Sequence, residues 1–197
     1  MNLLTDILPE SIDVCGASYP VNTDFRTWIR FENLIDGLQT EPEQTAVDIL
    51  KLCFKTEKTA FKLPSSLSET LKALFEFYTG KSLSEETDGT KAKAQSQRIY
   101  SFEHDGEYIY AGFMQQYGID LCKSDMHWYR FKALFSSLTD ETKIGEIMGI
   151  RALSLEKISD KKQRSYYARL KRLYALPDKR SEDEKENDLA DMIDGMF

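Results

Sequence analysis

Cysteine and histidine are scarce in this chain, and long apolar runs are missing. The three cysteines, Cys15, Cys53 and Cys122, are odd in number and far apart. They fit neither a disulfide framework nor zinc-ligand spacing, so free buried thiols in a reducing compartment are expected. Two histidines leave few options for acid–base chemistry. No stretch approaches the roughly 18 apolar residues that span a bilayer. The opening Met-Asn-Leu-Leu-Thr-Asp lacks a basic region and a cleavage site, so no secretory signal is expected. Phosphate-binding loops, nucleophile elbows and dinucleotide fingerprints are absent as well.

What is present points to a globular, cytoplasmic protein. The chain has 197 residues, 41% hydrophobic and 12% aromatic, enough for one sizeable core or two small ones. Its net charge of -7 is unevenly spread. Residues 151–180 hold 10 basic and 3 acidic side chains, whereas residues 181–197 hold 1 basic and 7 acidic. A basic segment followed directly by an acidic tail looks like organisation rather than average solvation.

Along the chain, Ile12 and Val14 alternate before Cys15-Gly16, and Tyr19 and Val21 after it. This predicts a hairpin with Gly16 at positive φ and Pro20 on an edge strand. Helical spacing follows: Phe25, Trp28, Ile29, Ile35 and Leu38 behind a Thr23 N-cap, then Ala46, Leu50 and Cys53 after Pro42. Ser66 and Glu69 form a capping-box pattern before Leu67, Leu71, Leu74, Phe75 and Tyr78, with Gly80 as the stop. Residues 81–98 are polar and read as a loop or linker that could separate two subdomains. Tyr110, Phe113, Met114 and Tyr117 then recur at helical spacing up to Gly118. Further helices are expected from Ser124 through Leu138, after Thr139 with Ile144, Ile147 and Met148, and from Ser154 to just before Pro177. The expected fold is mainly α: residues 1–80 as a hairpin plus three helices, 99–180 as a helical region, and 181–197 as an acidic tail.

Candidate chemistry is thin. Glu103-His104-Asp105 with Glu107 resembles a ligand cluster, but the i, i+4 spacing of a helical zinc site is missing. Acidic groups favouring a helix N-terminus explain it better. Cys122 and His127 could form a thiol–imidazole pair, yet a packed cysteine and a helix-start histidine is the simpler reading. No enzyme activity, metal or cofactor is expected. Lys161, Lys162, Arg164, Arg169, Lys171 and Arg172 surround Tyr166 and Tyr167, a mixture compatible with phosphate contact and base stacking. The acidic tail could fold back and cancel that charge. Leu189, Met192, Ile193 and Met196 on this tail have i, i+3, i+4, i+7 spacing, which suggests a weak docking element.

The most informative stretch is Asp105 to Asp120 followed by Met126-His-Trp-Tyr-Arg-Phe131, where aromatic and Met side chains crowd two helices. Together with Asp24-Phe-Arg-Thr-Trp-Ile-Arg-Phe31, Ile109-Tyr-Ala-Gly-Phe113, Gln116-Tyr-Gly-Ile-Asp-Leu121 and Gly145-Glu-Ile-Met-Gly-Ile-Arg151, it resembles the phage family named for the fifteenth gene product of a temperate siphophage. The resemblance covers most of residues 10–175. Members are typically encoded in the tail-morphogenesis module near the tape-measure gene. The resemblance therefore implies a tail assembly chaperone in the bacterial host cytoplasm, one that keeps the helical tape-measure protein soluble or binds other tail proteins. Met114, Tyr117, Trp128, Tyr129 and Phe135, with Leu189, Met192 and Ile193 on the tail, are the expected contacts for a client or for self-association. A nucleic-acid-binding regulator using residues 157–172 and a structural tail or connector component are the alternatives.

Overall fold

The structure, a computed structural model, describes residues 2–35, 38, 40–55, 64, 66–81 and 98–177. It divides into two compact units, residues 1–96 with 102–146 and residues 97–101 with 147–197. The architecture is mainly α, with one two-stranded hairpin near the N-terminus.

In the first unit, β1 (Ser11–Val14) pairs antiparallel with β2 (Ala17–Pro20) in the register Ile12↔Tyr19 and Val14↔Ala17. Cys15 and Gly16 form the turn, both at positive φ (50° and 78°), as a two-residue hairpin of primed type requires. Gly16 was expected there; the strained partner is Cys15. Val21 lies just beyond the strand and bridges to Phe54 instead. Ile12 and Val14 are buried, and β1 packs on α3 (Leu67–Thr79).

α1 (Phe25–Ile35) buries Phe25, Thr27, Trp28 and Phe31, a core face rotated from the expected one, since Ile29, Ile35 and Leu38 are only half-buried. α2 (Pro42–Cys53) has Pro42 in its first turn and packs on α1 through Thr45, Ala46, Ile49 and Cys53. In α3 the Ser66 hydroxyl accepts the Glu69 N–H at 3.3 Å, and Gly80 closes the helix in the left-handed region at φ 75°. The Ser66 N-cap and the Gly80 stop follow expectation, while the Glu69 carboxylate of the expected capping box accepts the Cys15 thiol instead. The buried line of α3 is Thr70, Leu74 and Phe77, while Leu67 is exposed.

α4 (Gly106–Tyr117) ends at Gly118, also left-handed at φ 66°. α5 (Trp128–Ser136) begins four residues later than expected, at Trp128 behind the N-cap His127 rather than near Ser124. Both helices belong to the first unit, where α5 packs on α1 and α4. α6 (Lys143–Ala152) starts in the first unit and continues in the second. In the second unit, the single helix expected from Ser154 is broken. A 3-10 turn at Leu155–Lys157 is followed by α7 (Lys161–Leu173), whose N-cap Asp160 accepts the Gln163 N–H at 2.7 Å. Arg151 is buried and organises this unit, donating from Nε to the Tyr174 carbonyl at 2.6 Å and from a terminal nitrogen to the Ile99 carbonyl at 3.1 Å. The 82–97 segment of the expected polar loop and the tail 181–197 lie outside the described residues.

Candidate interaction surfaces

The aromatic stretch resolves first into a core. Phe131 is fully buried at its centre. Its ring stacks on Phe25 at 4.7 Å, Phe113 at 5.1 Å, Trp128 at 5.8 Å and Phe135 at 6.0 Å, with Phe102 tilted against it at 5.8 Å. A second stack runs from Trp28 through Phe77 to Tyr129, with centroids 4.6 and 5.2 Å apart. Offset ring pairs of this kind add about 0.5–1.5 kcal/mol each beyond area burial.

This placement puts three of the five expected contact residues on α4 and α5 in the core. Trp128, Tyr129 and Phe135 are buried, because α5 enters the unit with its aromatic face toward α1 and α4. The Trp128 indole N–H donates to the Tyr78 carbonyl at 2.8 Å, and the Tyr129 hydroxyl donates to the Phe77 carbonyl at 2.8 Å. Burial also pushes the Tyr129 hydroxyl up to about 12. Tyr117 is half-buried and donates to the Leu134 carbonyl at 2.9 Å. Met114, at 40% exposed, is the expected contact that faces solvent. Leu189, Met192 and Ile193 lie outside the described residues.

Two residues passed over in the sequence organise this surface. Lys132 is half-buried and crosses the C-terminal end of α3, donating to the carbonyls of Tyr78 and Thr79 at 2.8 and 2.9 Å. Its Nζ lies 4.8 Å from the Tyr129 ring centroid, and burial brings its ammonium down to about 8. Gln116 donates to the Ser137 carbonyl at 2.9 Å and accepts from the Thr139 N–H at 3.0 Å, pinning the turn after α5 to the end of α4. A polar residue in an aromatic run is the one sequence signal for either.

Neither candidate chemistry assembles. His127 Nδ1 accepts the Tyr129 N–H at 3.1 Å, and Nε2 lies 3.0 Å from the Pro9 carbonyl, to which it donates. Both ring nitrogens are therefore engaged away from Cys122, and the helix-start reading of this histidine holds. Cys122 and Cys15 are exposed rather than buried; Cys15 sits on the hairpin turn, where its thiol donates to Glu69. Cys53 is the buried thiol, pushed up to about 12 by desolvation. Asp105 stands at the N-cap of α4 and Glu107 in its first turn. Among the described residues, no three His, Cys, Asp or Glu side chains gather as metal ligands.

Three surface features remain. On α4, Tyr108, Ala111 and Met114 recur every third residue and are all exposed, leaving an apolar stripe opposite the buried Ile109–Gly112–Phe113 face. Between α1 and α2 lies a shallow groove of about 540 Å³, lined by Arg30, Asn33, Leu34, Asp48, Lys51 and Leu52. The third is α7, in the second unit, which has no buried residue. Two of its six expected cations are internal ties: Arg164 donates to the Ile158 carbonyl at 2.6 Å and Lys171 to the Leu153 carbonyl at 2.7 Å. Lys161, Lys162, Arg169 and Arg172 are exposed, and so are Tyr166 (52%) and Leu173 (69%).

The family described as Bacteriophage Gp15 protein matches the sequence over residues 4–176. No curated protein and no solved structure matches it. Among the described residues, no helix is long and apolar enough to cross a membrane.

Proposed function

We infer function from one premise: the chain belongs to the bacteriophage Gp15 protein family. On that premise we propose a non-enzymatic tail assembly chaperone that binds the phage tape-measure protein during tail morphogenesis and works in the cytoplasm of the bacterial host. The observation that supports this reading is the exposed Tyr108–Ala111–Met114 stripe on α4. A holding protein for an apolar helical client needs adaptable apolar surface, and an exposed thioether and phenol ring on one helix supply it without fixing one geometry. The rigid aromatic core behind the stripe keeps it presented.

Co-expression with the tape-measure protein of the same phage tests the proposal. The tape-measure protein should move into the soluble fraction and co-purify with this chain. The double substitution Tyr108→Lys, Met114→Lys should weaken co-purification about tenfold or more while leaving the circular dichroism spectrum unchanged. No gain in solubility together with no co-purification would sink the chaperone reading. The nucleic-acid alternative has less support, because α7 already uses Arg164 and Lys171 within its own unit.

A further inference from the structure

We infer that the outward face of α7 is a docking site for the chain's own acidic segment, residues 181–197. On α7, Tyr166, Leu170 and Leu173 fall at i, i+4, i+7. Tyr166 and Leu173 are more than half exposed, and Leu170 is half-buried. Lys162, Arg169 and Arg172 flank this line and are exposed. Among the described residues, α7 forms no salt bridge with a carboxylate. The opposite side, with Arg164 and Lys171, is tied to the carbonyls of Ile158 and Leu153. One side of the helix is therefore committed, and the other offers an apolar stripe edged with positive charge.

The acidic segment carries the complementary pattern. Leu189, Met192, Ile193 and Met196 occur at i, i+3, i+4, i+7, with Glu186, Asp188, Asp191 and Asp194 between and beside them. Seven acidic and one basic side chain in 181–197 oppose the ten basic and three acidic of 151–180. Reach is not limiting. Leu189 follows Leu173 by sixteen positions, which can span up to about 50 Å, against about 20 Å for the thirteen residues of α7. Covalent linkage holds the segment at an effective concentration of about millimolar, so weak contacts suffice. A separate acidic partner, or a nucleic acid, would have to displace it. The inference does not depend on which client α4 binds.

Amide hydrogen exchange on the full chain tests the contact. A thirteen-residue helix with no buried side chain is marginal by itself, so slow exchange in residues 161–173 reports a cover. Those amides should exchange about tenfold or more slowly in the wild-type chain than in a full-length variant carrying Leu189→Asp, Met192→Asp and Ile193→Asp. Adding about 0.5 M salt should erase much of the difference, because screening then acts within a few Å. Arg169→Glu with Arg172→Glu should expose α7, and adding Asp188→Lys and Asp191→Lys should restore protection. Exchange in peptides around Phe113 and Phe131 checks that the core is intact in every variant. Equal α7 exchange in the wild-type and segment variants overturns the inference. Protection that vanishes on dilution also overturns it, because the cover would then come from a second copy.

Discussion

A methyl group added at Gly145 would meet the Thr139 carbonyl oxygen and carbon well inside van der Waals contact, and backbone atoms cannot step aside as a side-chain tip can. The turn at Thr139–Thr142 folds over the first turn of α6, with the Thr142 N–H and hydroxyl both donating to the Thr139 carbonyl and the Gly145 N–H donating to the Thr142 hydroxyl. Four residues on, Gly149 is exposed, and an added Cβ would meet nothing within 4 Å. Opposite outcomes follow for the same substitution in one helix. Gly145→Ala should destabilise by about 1–3 kcal/mol through overpacking. Gly149→Ala should stabilise by up to about 1 kcal/mol through helix propensity. Urea midpoints of the two variants check this, and equal shifts would count against the packing described. Glycines also explain what residue-level reading missed on α4. Tyr110, Phe113, Met114 and Tyr117 share helical spacing, but the buried face is Ile109–Gly112–Phe113. Gly112 allows Ile144 to approach, with its Cγ2 only 3.0 Å from where a Cβ would stand. An apolar count cannot see a face built around a missing side chain.

At the scale of elements, helix ends written in local chemistry were legible: Ser66, Gly80 and Gly118 cap as their residue types dictate. Ends set by tertiary pairing were not. Thr23 and Asp24 are both good cap residues, and an antiparallel bridge between Asp24 and His127 decides between them. The Thr23 carbonyl accepts the Trp128 N–H at 2.8 Å, while the Asp24 carboxylate accepts the Arg26 N–H at 2.9 Å. The same bridge places the start of α5 at Trp128. His127 thus caps α5 through a neutral ring, with Nδ1 as acceptor. Desolvation is the main cause that lowers its pKa below 6.5, with Arg130 adding to it against the Pro9 bond. With the folded pKa depressed, the unfolded chain binds the proton more readily. The cap's contribution is then complete above pH 6.5 and is lost as pH falls through the folded value. Between pH 7 and pH 5 the urea midpoint should drop more in the wild type than in His127→Asn, which keeps a cap without titrating. Parallel pH profiles would show that the ring does not carry this role.

For the whole molecule, four of the blocks that carry the family likeness, at residues 24–31, 109–113, 116–121 and 126–131, are separated in sequence and lie together in the first unit. Arg26 pairs with Asp24 at 3.0 Å and donates to the carbonyls of Leu121 and Ser124 at 2.6 and 3.0 Å, joining the first block to the Tyr-Gly-Ile-Asp-Leu turn. The likeness is thus written largely in a packing solution, which is why the mainly α fold was legible while the split between buried and exposed aromatics on α4 and α5 was not. Core positions are constrained by many neighbours at once, whereas under the proposed function a stripe such as Tyr108–Ala111–Met114 would be constrained by a molecule outside the chain. This distinction bears on the choice between a chaperone and a component of the finished tail. A chaperone's apolar stripe must release its client when tube subunits assemble around it, so its contacts are modest in area and adaptable. A structural subunit keeps its contacts permanently and buries larger, more apolar interfaces. Mass spectrometry of purified virions should therefore detect the tape-measure and tube proteins and no peptides of this chain, while lysates of the same infected cells contain it. Recovery of this chain from virions at a fixed ratio to the tape-measure protein would overturn the chaperone reading and make it a tail or connector component. The α4 stripe would then be an interface within the particle.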